Sequence, residues 1–289
     1  HRTLTRMNQV YVHGGVSGLE KEVLPSPAHA LARAVEAASA VDAVEHSVVA
    51  LEDDPALNAG CGSVLTIDGT VEMDAGIADG WTGDCGAVAN VSVANPVRLA
   101  RRVLSDTPHL LVAGAGAMAL ADDLPLLADT TQAQRRRWEE ARAAGTLEPS
   151  RFGAPEHVDT VGAVALDDSG RLAAASSTGG VFGKLPGRVG DAPIFGAGLY
   201  ASHNVAVVGT GVGELFLETL ASLRVALLVE DGAHPQEACE RVVEWVGKRR
   251  PVSAGLLALD ASGRVGAAFR GGSLAVEGPA GRIEAIRLA

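Results

Sequence analysis

The chain is poor in cysteine, has no extended basic run, and holds no apolar stretch long enough to span a bilayer. Each absence removes a class of function. Its 289 residues include three cysteines, Cys61, Cys85 and Cys239. They are odd in number, widely spaced and without metal-site spacing, so neither a disulfide framework nor a thiolate metal centre is expected. Reduced buried thiols in a cytoplasmic protein are the expectation. The formal net charge of −11 argues against nucleic acid as a partner. The apolar runs are too short for a membrane span, and "HRTLTRMNQVYVHGG" has no signal-peptide apolar region. Residues 1–6 read as added sequence, with Met7 the natural start. The eight histidines form no H-x-x-x-H cluster and no recognisable triad motif, which leaves a Ser-His-Asp hydrolase without support.

What is present is apolar residue, 47% of the chain, and glycine, 35 residues. The first supplies a sizeable core and the second implies many tight turns or close backbone approaches. "QVYVHGG" reads as a strand running into glycines. "SPAHALARAVEAASAVDAVEHSVVALEDDP" reads as one or two helices entered through Ser26 as N-cap and Pro27 as N1. "GSVLTIDGTVEMDAGI" reads as a hairpin about an Asp68-Gly69 turn, and "GAVANVSV" as a further strand. Helices are expected at 26–52, 96–105, 213–230 and 235–248. Residues 128–158 turn polar and charged and read as a helix fragment followed by a loose linker.

An internal echo follows. "TVGAVALDDSGRLAAA" from 160 resembles "SAGLLALDASGRVGAA" from 253. Both read as hairpins in sheets covered on both faces, since their strands are nearly continuous apolar runs. A layered α/β sandwich follows more naturally than a barrel. The residues at the head of the first echo are Asp159 and Thr160. Strand propensity alone accounts for a Thr at a strand edge, and a buried N-terminus uncovered by chain cleavage is the sharper account.

Three further stretches bear chemistry. "VAVVGTGVGELFLETLA" resembles a dinucleotide fingerprint but has Glu214 where the third glycine belongs. What remains is a glycine-rich turn whose N–H groups suit an oxyanion. In "KLPGRVGDAPIFGAG", Arg188 and Asp191 read either as a local surface ion pair or as a clamp for a carboxylate and an ammonium. In "SSTGG", Thr178 reads as a turn residue when taken alone.

Taken together, "DTVGAVALD", "SSTGG", "LPGRVGDAPIFGAG" and "GTGVGE", in this order, resemble the plant-type (type III) asparaginase/isoaspartyl peptidase family of Thr-dependent N-terminal nucleophile (Ntn) hydrolases. "VHGG", "DAVEHSVVALEDDPALNAGCGSV", "EMDAGI" and "NPVRLAR" extend the resemblance over nearly the whole chain. It implies a four-layer αββα sandwich made as a precursor that cuts itself between Asp159 and Thr160. Residues 1–159 would form an α-subunit part ending in a flexible linker from about 128, and residues 160–289 a β-subunit part. Thr160 would be the nucleophile, Thr178 would orient its hydroxyl, and Thr210 and Gly211 would form the oxyanion hole. Arg188, Asp191, Gly211 and Gly213 would hold the substrate, and Asn58 would stand near the catalytic centre. Carbonyls of Leu51, Glu52, Asp54, Leu57, Ala59 and Cys61 would wrap a structural sodium ion, with no cofactor for the chemistry.

The implied substrates are asparagine and isoaspartyl dipeptides, and the implied assembly a homo-oligomer, a dimer of αβ units. Asp159 before the Thr is closer to the His-Asp-Thr pattern of the related glycosylasparaginases, and such an enzyme is the nearest alternative. An uncleaved inactive homologue acting as a scaffold is the alternative of another class.

Overall fold

Small apolar residues alternate along the central strands, and that alternation decides which side chains meet. The computed structural model describes residues 9–17, 25–34, 37–149 and 160–289. Two sheets form. The larger runs in the order β12 (Gly281–Ile283), β11 (Ser273–Gly278), β1 (Gln9–Ser17), β5 (Val161–Leu166), β6 (Leu172–Thr178), β2 (Met73–Asp79), β3 (Cys85–Val91) and β4 (Leu111–Ala113). The smaller runs β13 (Ile286–Leu288), β10 (Val265–Arg270), β9 (Ala254–Asp260), β8 (Val205–Gly211) and β7 (Leu199–Ala201). Eight α-helices lie among the described residues: α1 (Leu31–Ala34), α2 (Ala40–Glu52), α3 (Pro96–Asp106), α4 (Gly114–Met118), α5 (Gln132–Ala143), α6 (Gly213–Thr219), α7 (Ala221–Glu230) and α8 (Pro235–Arg249).

The two-residue period of a strand sends successive side chains to opposite faces. In β5, Val161, Ala163 and Ala165 pack with Val44, Val48 and Leu51 of α2 and with Leu99 and Val103 of α3. The alternate residues Val164 and Leu166 pack instead with Ala206, Val208, Leu257 and Leu259 of the smaller sheet. The other face of that sheet, with Val205, Val207 and Leu256, packs on Val225 of α7 and Val243 of α8. β5, β6, β8 and β9 are buried throughout, as their continuous apolar runs require.

Most expected elements fall where the sequence puts them. Ser26 caps a 3-10 turn, Pro27–Ala30, through a 3.4 Å hydrogen bond from the Ala28 N–H. Both echoed hairpins form, one in each sheet. Two expectations are corrected. The Asp68-Gly69 turn exists, with the Gly69 N–H donating to Thr66 O at 3.0 Å, but no regular strand precedes it. The Val64 N–H goes to Asn58 Oδ1 (3.0 Å), the Ile67 N–H to Lys184 O (2.9 Å), and Thr66 O accepts from Trp138 Nε1 (2.9 Å). β2 pairs instead with β3 and β6.

The helix expected over 213–230 is two helices, broken at Leu220 in the left-handed region (φ 49°). The start of α7 hooks onto the preceding loop, with the Leu223 N–H on Gly196 O (2.9 Å) and Ser222 Oγ on Ala197 O (2.7 Å).

The polar segment after 128 contributes more to packing than its composition suggests. Thr131 caps α5, and Trp138 is buried with Leu65, Val71 and Met73. The Asp159–Thr160 bond and the end of the expected linker lie outside the described residues.

Candidate active site

Strand parity brings three hydroxyls to one space. Thr178 lies on the same face of β6 as Leu172 and Ala174, and Thr210 on the same face of β8 as Ala206 and Val208. Those are the faces the two sheets turn toward each other. Thr160 directly precedes β5, whose Val161 pairs with Ser177. Extending that antiparallel register by one residue sets Thr160 opposite Thr178. All three threonines are buried. Thr178 Oγ1 accepts from the Gly180 N–H at 2.9 Å. Thr210 Oγ1 accepts from the Val16 N–H at 3.1 Å. A hydroxyl that accepts from a fixed N–H has its own proton left to donate elsewhere.

The glycine-rich turn after β8 has the shape its sequence demands. Gly211 has φ 139°, and a Cβ there would lie 2.5 Å from Ser253 O, so no side chain fits. The Val212 N–H donates to Ser253 O at 3.3 Å. At Gly213 a Cβ would lie 2.8 Å from Asp191 Oδ1 and 2.9 Å from Arg188 Nη2. Arg188 and Asp191 therefore converge on the glycine that the sequence reading placed beside them.

Arg188 also has a partner outside its own loop. Arg188 forks onto Glu214, Nε to Oε1 at 3.0 Å and Nη2 to Oε2 at 2.8 Å. Burial works against the guanidinium charge. The Glu214 hydrogen bonds and the charges of Glu214, Asp191 and Asp74 outweigh it and raise its pKa. Glu214, read from sequence only as the residue that breaks the dinucleotide fingerprint, is thus the bidentate partner of Arg188.

Asn58 is 6% exposed and is occupied in holding turns. Its Nδ2 donates to Gly180 O (2.8 Å), its Oδ1 accepts from Val64, and its carbonyl accepts from the Gly179 N–H (2.9 Å). It pins the backbone that follows Thr178.

The loop from Leu51 to Cys61 folds back on itself. Gly60 has φ 52°, and a Cβ there would lie 2.2 Å from Glu52 O; at Gly62 it would lie 2.1 Å from Leu57 O. Leu51 O, Asp54 O, Ala59 O and Cys61 O each accept a hydrogen bond, the last from Thr130 Oγ1 at 3.2 Å. A carbonyl has two lone pairs, so one hydrogen bond does not exhaust any of these oxygens. The Glu52 side chain is fully buried. Desolvation pushes its pKa up to about 8, and Oε1 accepts from the Val97 N–H (3.0 Å) at the start of α3.

Three groups near the site had no reading from sequence. Asp74 is buried beside Thr178 in the β2–β6 register. Lys184 is buried, with Nζ on Glu72 O at 2.6 Å. His13 is buried against Gly162, and desolvation lowers its pKa to about 3. A carboxylate inside the apolar run "EMDAGI" was the one available signal.

The asparaginase family model matches residues 12–278, and the chain belongs to that family. Among its relatives is an isoaspartyl peptidase of Salmonella typhimurium, 46% identical over 243 residues, which covers 80% of this chain and 78% of the relative. A plant-type L-asparaginase of Pyrobaculum calidifontis is 43% identical over 280 residues, covering 89% and 92%. An isoaspartyl peptidase/L-asparaginase of Homo sapiens is 38% identical over 270 residues, covering 88% and 87%. Among the described residues, no helix is long and apolar enough to cross a membrane.

Proposed function

We propose that this chain is a self-cleaving amidohydrolase that acts on β-aspartyl dipeptides and L-asparagine through Thr160. The observation that carries the proposal is the convergence of Arg188 Nη2 and Asp191 Oδ1 on Gly213, one turn from Thr210 and Gly211. A cation and an anion side by side match the α-carboxylate and α-ammonium of an aspartyl group. Family membership and the names of the relatives point to the same substrates.

In the maturation step, Thr160 Oγ1 attacks the Asp159 carbonyl carbon and the Asp159–Thr160 C–N bond breaks. The proton lost from the hydroxyl ends on the freed amine, and water hydrolyses the resulting ester to leave a carboxylate on Asp159. Thr160 then has both a hydroxyl and an α-amine. The amine has a pKa of about 7.7–8.0 in model compounds, suited to general-base work near neutral pH.

In turnover the amine takes the hydroxyl proton while Oγ1 attacks the side-chain carbonyl of the substrate. Thr178 orients Oγ1, and the Thr210 hydroxyl and Gly211 N–H face the oxyanion. Collapse expels ammonia or the amine of the second residue, which takes up the proton. Water then cleaves the β-aspartyl ester and restores Thr160.

The larger assignments rest on the same footing. The four-layer αββα sandwich is supported by helices on the outer face of each sheet and a shared core between the sheets. Division into an α-subunit part, 1–159, and a β-subunit part, 160–289, follows from the cleavage site. The carbonyls of Leu51, Glu52, Asp54, Leu57, Ala59 and Cys61 would hold a sodium ion, which would brace the loop bearing Asn58. A dimer of αβ units and a cytoplasmic location complete the assignment; three unpaired thiols accord with a reducing compartment.

The test compares isoaspartyl-Leu, its N-acetyl form and a sugar-linked asparagine. Isoaspartyl-Leu is expected to be hydrolysed. The acetylated form, which leaves Asp191 facing a neutral amide, is expected to lose about two or more orders of magnitude in rate. Preference for the sugar-linked substrate would move the assignment to glycosylasparaginase.

A further inference from the structure

The segment from Gly183 to Asp191 carries both clamp residues yet contains no helix or strand. Its position is imposed from outside, by the ends of β2 and β3. Asp74 Oδ2 accepts from the Gly190 N–H at 3.0 Å, directly before Asp191, and Oδ1 accepts from the Asn90 N–H at 2.9 Å. Asn90 in turn donates from Nδ2 to Arg188 O and to Glu72 Oε2, both at 3.2 Å. Glu72 Oε2 also accepts from the Gly187 N–H at 2.7 Å, and its carbonyl accepts from Lys184 Nζ.

Asn90 adopts φ 54°, a left-handed conformation that Asn tolerates better than most other side chains.

Asp74 is the centre of this arrangement. It is fully buried, and a buried carboxylate persists only when its oxygens are satisfied. Here two backbone N–H groups satisfy it, one on each oxygen. An amide cannot do the same, because it has one accepting atom and its other end only donates. Asp74 is also the register partner of Thr178. One residue of one strand therefore lies beside the threonine that faces Thr160 and also fixes the turn that ends in Asp191.

We propose that Asp74 is a positioning residue for the aspartyl clamp. Held between the Asn90 and Gly190 N–H groups, it sets Arg188 and Asp191 at a fixed distance from Thr178, with Asn90 and Glu72 as its supports. The proposal rests on the reading of Arg188 and Asp191 as the substrate clamp.

The test is the isosteric Asp74→Asn, assayed on L-asparagine and on succinamate, the same molecule without the α-ammonium. Wild type is measured first. If it fails to hydrolyse asparagine, or does not distinguish asparagine from succinamate, the clamp reading itself falls. Given a discriminating wild type, Asp74→Asn is expected to raise KM for asparagine about tenfold or more while kcat changes by less than about threefold. The preference for asparagine over succinamate should contract by about tenfold, because only asparagine carries the ammonium that Asp191 receives, while both substrates present a carboxylate to Arg188. Equal losses on both substrates, or unchanged preference, would overturn the proposal. Should the variant not fold, Glu72→Gln, at the half-exposed edge of the same network, should contract the preference about threefold; unchanged preference there would overturn the proposal equally.

Discussion

Residues 160–175 and 253–268 fold into hairpins whose turns share their Oδ1 and main-chain hydrogen bonds. Asp167 Oδ1 accepts from the Ser169 N–H (2.9 Å) and the Arg171 N–H (3.0 Å); Asp260 Oδ1 accepts from Ser262 and Arg264, both at 2.9 Å. Gly170 and Gly263 have φ 77° and 79°. The difference lies at the other end. The first hairpin opens on Thr160 and closes on Ser176-Ser177-Thr178, so that a hydroxyl stands across from a hydroxyl. The second opens on Ser253 and closes on Phe269-Arg270-Gly271, and a Cβ at Gly271 would lie 2.7 Å from Ser253 Oγ. Ser253 contributes its carbonyl, which receives the Val212 N–H and shapes the turn after Thr210. On the proposed function, the same local sequence carries chemistry in one sheet and serves as a backbone prop in the other. What stands opposite the head residue makes that difference.

The largest expected effect breaks the comparison at its heads. Thr160→Ala should abolish cleavage and lower hydrolysis by about four or more orders of magnitude, as loss of a nucleophile does. Ser253→Ala keeps the carbonyl and should leave kcat within about threefold. Steady-state assays on isoaspartyl-Leu compare the two.

Next in size is the residue opposite the head. Thr178→Gly copies the second hairpin's Gly271 and removes the orienting hydroxyl. It should lower kcat by about 10- to 100-fold with KM little changed.

The turns should respond alike. Asp167→Ala removes an acceptor of three backbone N–H groups, those of Ser169, Arg171 and Ala40, and Asp260→Ala an acceptor of two, each costing about 1–3 kcal/mol. Asp260 should be the costlier, since its carboxylate is 4% exposed and also receives Arg264 Nε at 2.6 Å. Thermal unfolding should show both losses, with kcat unaltered in the surviving enzyme.

An effect confined to acid pH, and absent near neutrality, separates the hairpins by what covers their glycines. Gly162 lies under the His13 ring, a Cβ there falling 2.5 Å from Nε2, whereas Gly255 lies under Thr210 and Leu274. Burial lowers the His13 pKa to about 3, below its ordinary value of 6.5. The unfolded chain therefore binds the extra proton first. Stability contributed by neutral His13 is complete above about pH 6.5 and is lost as pH falls toward 3, by at most about 1.4 kcal/mol per pH unit. His13→Gln should flatten that part of the acid-unfolding curve. An unchanged slope would show that His13 is already accommodated as a charged group.

Much of this was legible in the sequence. Runs such as "TVGAVALD" and "SAGLLALD" fix strand type, and "DDSG" and "DASG" fix the turns, because the signals are local. Arg188 and Asp191 were legible as a pair from "GRVGD", but spacing alone left a local ion pair and a clamp equally open, and only the family resemblance chose between them. Glu214 as the partner of Arg188 was not legible, because 26 residues separate them and either sign of use suited a helix start. Asp74 gave only the bare anomaly of a charge in a buried strand, and its two N–H partners come from loops that no periodicity marks. Trp138 looked like linker because the polar residues around it outnumber the one face that packs.

The central claim is that Thr160 becomes an N-terminus. Intact mass under denaturing conditions, taken after prolonged incubation of wild type, Thr160→Ala and Ser253→Ala, tests it most directly. Wild type and Ser253→Ala should each yield two masses, corresponding to residues 1–159 and 160–289, while Thr160→Ala stays a single chain. A wild type that remains whole, or a cut at any other bond, would contradict the account.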